Sequence, residues 1–310
     1  MRTTFRDRSR GARDLWARAR VATGQARKGI APLPGLITPE SDARLAVNCV
    51  VFSKDRAMQL DACLRSIELL APYSGPIVVV YLATTADFAN GYRRLPSGER
   101  VRFVEQGDDF QGAVLSALDP RSACTVFHTD DDVFFRKPAT VPVLPPGFAA
   151  FSLRLGKNTT YCHTADRAQR VPEAASDGGD LLAWNWARAE GDFAYPMSLD
   201  GHIFSTELLL RMLHRARFTN PNHLEEELHY RRYLAPPSML SFRESCLVSI
   251  PANIVSATHQ NRARHSADTS AEALNVRFLA GERIDLAAMD FSAVRGAHQA
   301  IPYAFTRADA

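Results

Sequence analysis

Three consecutive carboxylates, Asp130, Asp131 and Asp132, stand between two apolar stretches and give the sequence its strongest chemical signal. Neighbouring carboxylates repel one another unless a cation or basic side chains neutralise them. In an extended run alternate side chains point to one side, so we expect Asp130 and Asp132 to share a face and Asp131 to face elsewhere. Carboxylate oxygens suit Mn²⁺ or Mg²⁺, which complete their coordination with water and substrate phosphates. We therefore predict a divalent cation at Asp130 and Asp132; a turn or helix cap is the alternative.

The part of the chain that contains these carboxylates alternates short apolar runs with helical patterns. The runs predict strands at 45–52, 76–82, 101–105 and 124–128, and apolar spacing predicts a helix at 56–70. In the less regular second half, strands are expected at 149–155 and 248–255 and helices at 206–213 and 224–233. The alternation predicts an α/β fold with a mainly parallel central sheet flanked by helices. Such sheets bind ligands at the carboxyl ends of their strands, where the three carboxylates lie.

Composition and patterning divide the chain into three parts. Residues 1–43 are a basic N-terminal arm and linker that ends in a run rich in proline and glycine. Residues 44–140 hold the regular alternation of strands and helices, and residues 141–310 hold the less regular half with a C-terminal packing segment. We expect the last two parts to form one continuous domain.

Two segments resemble a known enzyme class. TVFHTDDDVFF, at the end of the fourth predicted strand, resembles the DxD segment of GT-A glycosyltransferases, and PNHLEEELHYRRYL resembles the acidic helix start of their inverting, family-two-like members. The resemblance spans roughly residues 44–262 and implies a GT-A type, Rossmann-like fold. It also implies transfer of a sugar from a nucleotide-diphosphate sugar to a hydroxyl of a glycan, polysaccharide or lipid-linked acceptor, with inversion. Residues 44–140 would then bind the nucleotide sugar and residues 141–310 the acceptor.

The resemblance assigns the donor side of the site. The residues expected near the nucleotide and its phosphates are Ser53, Asp55, Arg56 and Asp131. Arg154, near the end of a predicted strand, is expected to offset phosphate charge; an ordinary surface arginine is the alternative. Because GT-A enzymes often recruit a third metal ligand from their C-terminal region, His259 is expected to join Asp130 and Asp132.

The resemblance also assigns a catalytic base. When the two segments are aligned at Leu228, the base corresponds to Glu225. Asp200, in a polar loop that we expect to contact the acceptor, is the second candidate for the base. The base would deprotonate the attacking hydroxyl in a direct displacement. Two plainer alternatives remain: Glu225 is a first-turn acid of a helix capped by Asn222, and Asp200 belongs to an ordinary turn.

Other function classes are less favoured by the sequence. A sugar-phosphate nucleotidyltransferase normally has a glycine-rich phosphate loop after the first strand, but the segment SKDR at this position contains no glycine. A hydrolase is also less favoured, because the sequence contains neither a GxSxG nor an HExxH motif. A non-catalytic glycan-binding or scaffold protein of the same fold remains open. We expect a cytoplasmic location for two reasons. The five cysteines are scattered, which fits reduced thiols, and the sequence has neither a long apolar run nor a signal peptide.

The N-terminal arm carries most of the positive charge. Residues 1–28 have a net charge of +7, whereas the remainder of the chain has −4. Two alternatives are open for the arm: peripheral contact with the inner membrane surface, or a solvated flexible tail without a clean helical stripe. Basic residues do not continue into a patch with stacking aromatics, so we expect no nucleic-acid partner.

Overall fold

The computed structural model describes residues 5–31, 45–173, 179–255 and 267–307. The helices within these ranges are α1 (Phe5–Thr23), α2 (Ala57–Leu70), α3 (Ala86–Arg93), α4 (Phe110–Ala117), α5 (Thr206–Leu213), α6 (Pro221–Tyr230) and α7 (Ala271–Leu279). The first nine strands are β1 (Leu45–Lys54), β2 (Tyr73–Ser74), β3 (Ile77–Leu82), β4 (Val101–Glu105), β5 (Cys124–Thr129), β6 (Asp132–Phe134), β7 (Phe148–Ser152), β8 (Tyr161–Cys162) and β9 (Arg167–Ala168). The others are β10 (Leu181–Asn185), β11 (His202–Ser205), β12 (Ser238–Phe242), β13 (Leu247–Ser249), β14 (Glu282–Ile284) and β15 (Phe305–Arg307).

A large central sheet organises the fold. Its strand order is β10-β12-β7-β11-β5-β1-β3-β4, and β2 pairs with the start of β1. Strands β5, β1, β3 and β4 are parallel neighbours, whereas β11 is antiparallel to both β5 and β7. The predicted α/β fold with a mainly parallel sheet flanked by helices is therefore confirmed.

Strand β1 illustrates why the first half is easily predicted. It lies between β3 and β5 and is buried along nearly its whole length. Cys49 and Val51 pack in the core beneath α2, whereas Val50 and Phe52 pack in the core on the other face of the sheet. A strand that is covered on both faces has a continuous apolar sequence, which gives a strong local signal.

The second half departs from the sequence expectations at three strands of the central sheet. β10, β11 and β12 complete this sheet but were not predicted. All three are short and contain buried polar residues, including Asn185, His202 and Ser241, which weaken the apolar pattern. The strand expected at 248–255 is limited to β13, which pairs with β6 outside the central sheet.

The basic N-terminal segment forms helix α1, so the expectation of a flexible tail is wrong for its described part. Ala17 and Val21 on this helix are buried. The inward-facing residues also include Arg10 and Asp14, which form ion pairs with the rest of the protein. This polar inner face explains why no apolar stripe was found. None of the helices in the described ranges combines the length and apolar character that a membrane span requires.

Candidate active site

The three carboxylates lie at a turn. β5 ends at Thr129, Asp130 and Asp131 form the turn, and β6 begins at Asp132. β6 pairs with β13, which places Asp132 opposite Ser249. The predicted extended run is therefore wrong, because strand alternation does not continue through a turn. Asp130 and Asp132 have separate sets of partners.

Asp132 is fully buried and its carboxylate is used inside the protein. Oδ2 accepts hydrogen bonds from His128 Nδ1 at 2.9 Å and from the amide of Thr129 at 3.3 Å. Oδ1 accepts a hydrogen bond from the Ser249 hydroxyl. Burial raises the pKa of Asp132, and the hydrogen bond from His128 opposes that rise. Asp132 thus ties the end of β5 to β13.

Asp130 is also buried and has an arginine as its counter-ion. Its Oδ2 accepts hydrogen bonds from Ser53 Oγ at 2.8 Å and from the amide of Lys54 at 3.2 Å. Its Oδ1 accepts from Arg56 Nη1 at 3.0 Å. Burial raises the pKa of Asp130 to about 6, although the charge of Arg56 lowers it. Arg56 therefore supplies positive charge at Asp130, whereas Asp132 is stabilised by hydrogen bonds, including the one with His128.

The divalent cation predicted at the pair Asp130 and Asp132 stays a prediction: both carboxylates are buried, and each has its own set of hydrogen-bond partners within the protein. In the described ranges no group of three or more side chains that could bind a metal comes together. Asp131 is different. Its side chain is 15% exposed, with a hydrogen bond from Thr129 and an ion pair to Arg56 at 3.6 Å. One carboxylate suffices where substrate phosphates supply other ligands, so Asp131 fits a Mg²⁺ or Mn²⁺ ion. His259 lies outside the described residues.

A single hydroxyl hydrogen lies between two carboxylates. Thr129 Oγ1 is 2.8 Å from Asp131 Oδ1 and 3.2 Å from Asp200 Oδ1. Because a hydroxyl group donates one hydrogen bond at a time, one of these carboxylates faces an oxygen lone pair at short range. That contact is favourable only with positive charge nearby, which Arg56 supplies at Asp131 and Arg154 supplies at Asp200. Thr129 therefore links Asp131 to Asp200.

Asp200 lies in a charged cluster next to this hydroxyl. Its Oδ2 is 3.0 Å from Arg154 Nη1, 3.1 Å from His298 Nε2 and 3.3 Å from Ser198 Oγ. Burial alone would raise the pKa of Asp200, but the hydrogen bond from His298, the charge of His298 and the charge of Arg154 outweigh burial and lower it. A carboxyl group of low pKa is a weak proton acceptor, so this geometry favours charge pairing over base catalysis at Asp200.

The turn that carries Asp200 depends on Gly201. Gly201 has φ of 68°, and a Cβ at this position would lie 2.0 Å from the Leu247 side chain. Its amide donates a 2.8 Å hydrogen bond to the carbonyl of Phe127 on β5. Positive φ and the lack of space both require glycine here. The contact with β5 places Asp200 beside the carboxylate turn.

Arg154 is almost fully buried, with 2% of its side chain exposed, so the alternative of a surface arginine is wrong. Burial alone would lower the pKa of Arg154, but the negative charges of Asp200, Asp192, Glu225 and Asp132 together outweigh burial and raise it. Its Nε is buried without a hydrogen-bond partner. Arg154 is therefore the central cation of the cluster, and it donates a hydrogen bond to the carboxylate of Asp200.

Glu225 lies in the second turn of α6. The helix begins at Pro221, and the side chain of Asn220 caps it by accepting a 2.9 Å hydrogen bond from the amide of His223. The alternative that Glu225 is a first-turn acid capped by Asn222 is therefore wrong. Glu225 Oε1 accepts a 3.1 Å hydrogen bond from the amide of Leu199, which precedes Asp200.

The surroundings of Glu225 favour its protonated form more than water would. Burial raises the pKa of Glu225 to about 7, and the negative charge of Asp200 adds to the rise. The hydrogen bond from Leu199 and the charges of Arg154 and His298 act in the opposite direction. A carboxyl group with a pKa near neutrality is well matched to proton transfer at neutral pH. The other titratable groups that line the same cavity are Tyr195, Arg10, Asp14, Glu226, His229 and Tyr230.

Glu225 lines a cavity between the N-terminal helix and α6. This α1–α6 cavity has a volume of about 370 Å³. Its lining residues are Arg10, Gly11, Asp14, Tyr195, Asn222, Glu225, Glu226, His229 and Tyr230. The rings of Tyr195 and His229 stack 4.9 Å apart on its wall. Polar side chains beside flat aromatic surfaces suit a hydroxylated ligand.

A second cavity, the β1–β3 cavity, lies beyond the carboxyl ends of β1 and β3. It measures about 300 Å³ and is lined by Asp55, Thr84, Phe88, Ala252, Asn253, Ile254, Val255, Ser270, Ala271 and Glu272. Asp55 has φ of 56°, and its carboxylate accepts hydrogen bonds from the amide of Thr84 at 2.7 Å and the Thr84 hydroxyl at 2.9 Å. These contacts fix the turn after β1 against the loop after β3. The cavity thus lies where open parallel sheets bind ligands.

The other residues predicted on the donor side lie between this cavity and the carboxylates. Ser53 Oγ donates to Asp130 and also lies 2.7 Å from the Tyr92 hydroxyl, so it positions Asp130. Arg56 Nε donates to Asn253 Oδ1 at 2.8 Å, and a second nitrogen donates to the Asn253 carbonyl. Arg56 therefore connects the rim of the β1–β3 cavity to the carboxylate turn.

Continuous polar contacts join the two cavities. From Asn253 they pass through Arg56 to Asp131, and through Thr129 to Asp200. Leu199, the residue before Asp200, bonds Glu225 and so reaches the α1–α6 cavity. We call this series of contacts from Asn253 to Glu225 the polar track.

Sequence reasoning missed two members of the site. His298 comes from the segment between β14 and β15 and reaches Asp200 because this segment lies beside β13, where His298 bridges to Ser249. No local pattern marks it. Thr129 directly precedes the carboxylate run, so its position was a usable signal.

The fold and the site define an α/β protein with a charged track between two cavities. Neither protein-family models nor curated protein sequences give a match to this chain. Among solved structures, it is similar to the crystal structure of S. aureus TarS 1–349, with 13% sequence identity and a TM-score of 0.37. The similarity covers 65% of this chain and 60% of that structure, so the chain spans less than two thirds of its length. A similarity this distant assigns neither a family nor an activity.

Proposed function

We propose that this chain is a glycosyltransferase that binds a nucleotide-diphosphate sugar from the β1–β3 cavity along the polar track and an acceptor hydroxyl in the α1–α6 cavity. The observation that carries the proposal is the position of Glu225, which lines the acceptor cavity and ends the polar track. A transfer between two substrates requires a proton acceptor where their sites meet. Glu225 meets this requirement.

The donor would place its nucleoside in the β1–β3 cavity. Asp55 and Thr84 offer hydrogen-bonding groups there, and Phe88 offers an aromatic ring. The diphosphate would then lie toward Arg56 and Asp131. Arg56 already neutralises Asp130, so it lessens the repulsion between the carboxylate turn and an incoming diphosphate.

Asp131 is the carboxylate that we propose for binding Mn²⁺ or Mg²⁺ together with donor phosphate oxygens. When bound, such an ion stabilises the negative charge that develops on a departing diphosphate. Thr129 orients Asp131 through its hydroxyl, and Arg56 lies on the opposite carboxylate oxygen. The buried residues Asp130 and Asp132 position this turn.

The chemical step is a displacement at the anomeric carbon. The acceptor oxygen forms a bond to that carbon while the bond to the diphosphate oxygen breaks, and its electron pair leaves with the nucleotide. Glu225 accepts the proton of the acceptor hydroxyl, and the stereochemistry at the carbon inverts. Arg154 and His298 keep Asp200 ionised, and the charge of Asp200 favours proton uptake by Glu225.

The first test is calorimetric titration of UDP and GDP, with and without Mn²⁺, into the full chain. We expect Mn²⁺-dependent binding of one nucleotide, weakened at least about tenfold in Asp131→Asn because a metal ligand is lost. The matched control is Asp108→Asn, since Asp108 is an exposed carboxylate that lines neither cavity. Absence of nucleotide binding under every condition would overturn the proposal.

The second test is turnover with a panel of UDP- and GDP-sugars, measured as nucleotide diphosphate released with simple glycosides as acceptors. Glu225→Gln should bind the nucleotide normally but lose about 10²–10⁴-fold in rate, as expected for removal of a general base. Glu207→Gln, an exposed acid of α5, is the matched control. Pyrophosphate release from a nucleoside triphosphate would indicate a nucleotidyltransferase, and nucleotide binding without turnover would indicate a scaffold protein.

A further inference from the structure

Helix α1 uses a polar stripe to bind the rest of the protein. Residues Arg10, Asp14, Ala17 and Val21 recur at helical spacing and face inward. Asp14 pairs with Arg232 at 3.3 Å, and Arg10 pairs with Glu226 at 3.2 Å. The usual arrangement of a surface helix, with its apolar face inward, is therefore only partly present here.

The more apolar stripe of α1 faces outward. Its exposed members are Ala12, Leu15, Ala19 and Ala22, with Trp16 on one flank. Leu15 is 71% exposed and Trp16 is 51% exposed. Trp16 makes an edge contact with Tyr233 at 5.0 Å, which fixes its position on the surface. Two adjacent large apolar side chains on one outward helix face are unusual for a surface that contacts only water.

Arginines flank this outward stripe on both sides. Arg13 pairs with Glu227 and Arg18 pairs with Asp14, and their side chains are 46% and 71% exposed. Arg20 is also exposed and lies 4.8 Å from the ring centre of Trp16. From Arg10 to Lys28 the sequence has six basic residues and one acidic residue, and that acid, Asp14, faces inward. The outward surface is thus apolar at its centre and positive at its margins.

We propose that the outward face of α1 lies on an anionic lipid surface, with Leu15 and Trp16 inserted at the headgroup level. An amphipathic helix with bulky apolar residues between arginines is the arrangement that binds such surfaces. The exposed guanidinium groups at the margins of the face complement the negative charge of anionic lipid. This contact is independent of the proposed activity, although it would bring the α1–α6 cavity close to a lipid-linked acceptor.

Vesicle binding tests the proposal directly. The full chain would be sedimented with phosphatidylcholine vesicles that contain or lack phosphatidylglycerol, and its tryptophan emission recorded. Trp184 and Trp186 are buried, so a blue shift on binding reports Trp16. We expect binding and a blue shift with anionic vesicles only, weakened by added salt.

Variants separate insertion from simple charge attraction. Leu15→Ser should weaken binding about tenfold or more, because it removes an inserted apolar side chain. Arg18→Gln should weaken it about fivefold. Val276→Ser is the matched control, since Val276 is an apolar residue of α7 that is 66% exposed. Circular dichroism would verify that each variant is folded.

Three results would overturn the proposal. These are no binding to anionic vesicles at low salt, equal binding to neutral vesicles, and binding unchanged by Leu15→Ser. A concentration-dependent dimer that Leu15→Ser abolishes in the absence of lipid would instead assign this face to a second copy of the chain. Loss of nucleotide binding or turnover would leave the vesicle result unchanged, so the two proposals fail separately.

Discussion

The backbone amide of Leu199 donates a 3.1 Å hydrogen bond to the carboxyl group of Glu225. This bond joins α6 to the turn that carries Asp200, two elements that come from different parts of the sequence. It also places Glu225 in the field of Asp200, whose negative charge raises the pKa of Glu225. The protonation of one carboxyl group is therefore linked to the ionisation of the other.

The first prediction concerns the pH dependence of turnover. Glu225 must be ionised to accept a proton, and its pKa is raised to about 7. We expect kcat/KM to fall about tenfold per pH unit below pH 7 and to level off above it. Asp200→Asn removes the neighbouring negative charge, so it should move this inflection to lower pH. A profile that is flat between pH 5 and 8 would contradict the role of Glu225.

The second prediction concerns stability. The pKa of Glu225 is about 7 in the folded protein, against 4.5 for an ordinary glutamate, so the folded protein binds the proton more tightly than the unfolded chain. The stability that this proton contributes is fully present below pH 4.5 and is lost as the pH rises to about 7. Glu225→Gln should therefore be more stable than the parent by about 1–3 kcal/mol at pH 8 and equal to it near pH 4. Urea unfolding at both pH values measures this difference.

The third prediction tests the pairing of Arg154 with Asp200, which lie 3.0 Å apart. Arg154→Met removes the counter-ion of a buried carboxylate and should cost about 3–5 kcal/mol of unfolding free energy. The double variant Arg154→Met, Asp200→Asn should recover part of this loss. A double-mutant cycle in urea should therefore show a coupling energy of about 1–3 kcal/mol. Additive effects would show that the pair does not interact.

The fourth prediction separates Asp132 from Asp131. Asp132→Asn disturbs buried hydrogen bonds with His128 and Ser249, so it should lower the free energy of unfolding by about 1–3 kcal/mol. Asp131→Asn changes a partly exposed residue and should alter stability by less than about 1 kcal/mol. Mn²⁺-dependent nucleotide binding should instead weaken strongly in Asp131→Asn and change little in Asp132→Asn. Strong loss of that binding in a folded Asp132→Asn protein, with normal binding in Asp131→Asn, would reverse the assignment.

The first half of the fold was predictable because its signals are local. Strands β1, β3, β4 and β5 are apolar runs bounded by polar turns, and α5 was expected at the limits that the structure shows. By contrast, β11 is recognised as a strand only through its pairing with β5 and β7. Helix α1 was missed because ion pairs, which depend on distant partners such as Arg232, replace part of its apolar stripe.

The sequence by itself determined the α/β alternation and the clustering of carboxylates at the end of β5, because hydrophobic periodicity and residue order are local properties. Only the tertiary structure decided which carboxylate is accessible. Asp132 is buried because Ser249 and His128 close around it, and Asp130 is paired with Arg56 across the sheet. Hydrogen bonding and burial depend on residues far apart in the chain. The contacts of His298 with Asp200 and of Glu225 with Leu199 also join residues that are far apart in the chain, so the sequence alone does not reveal them.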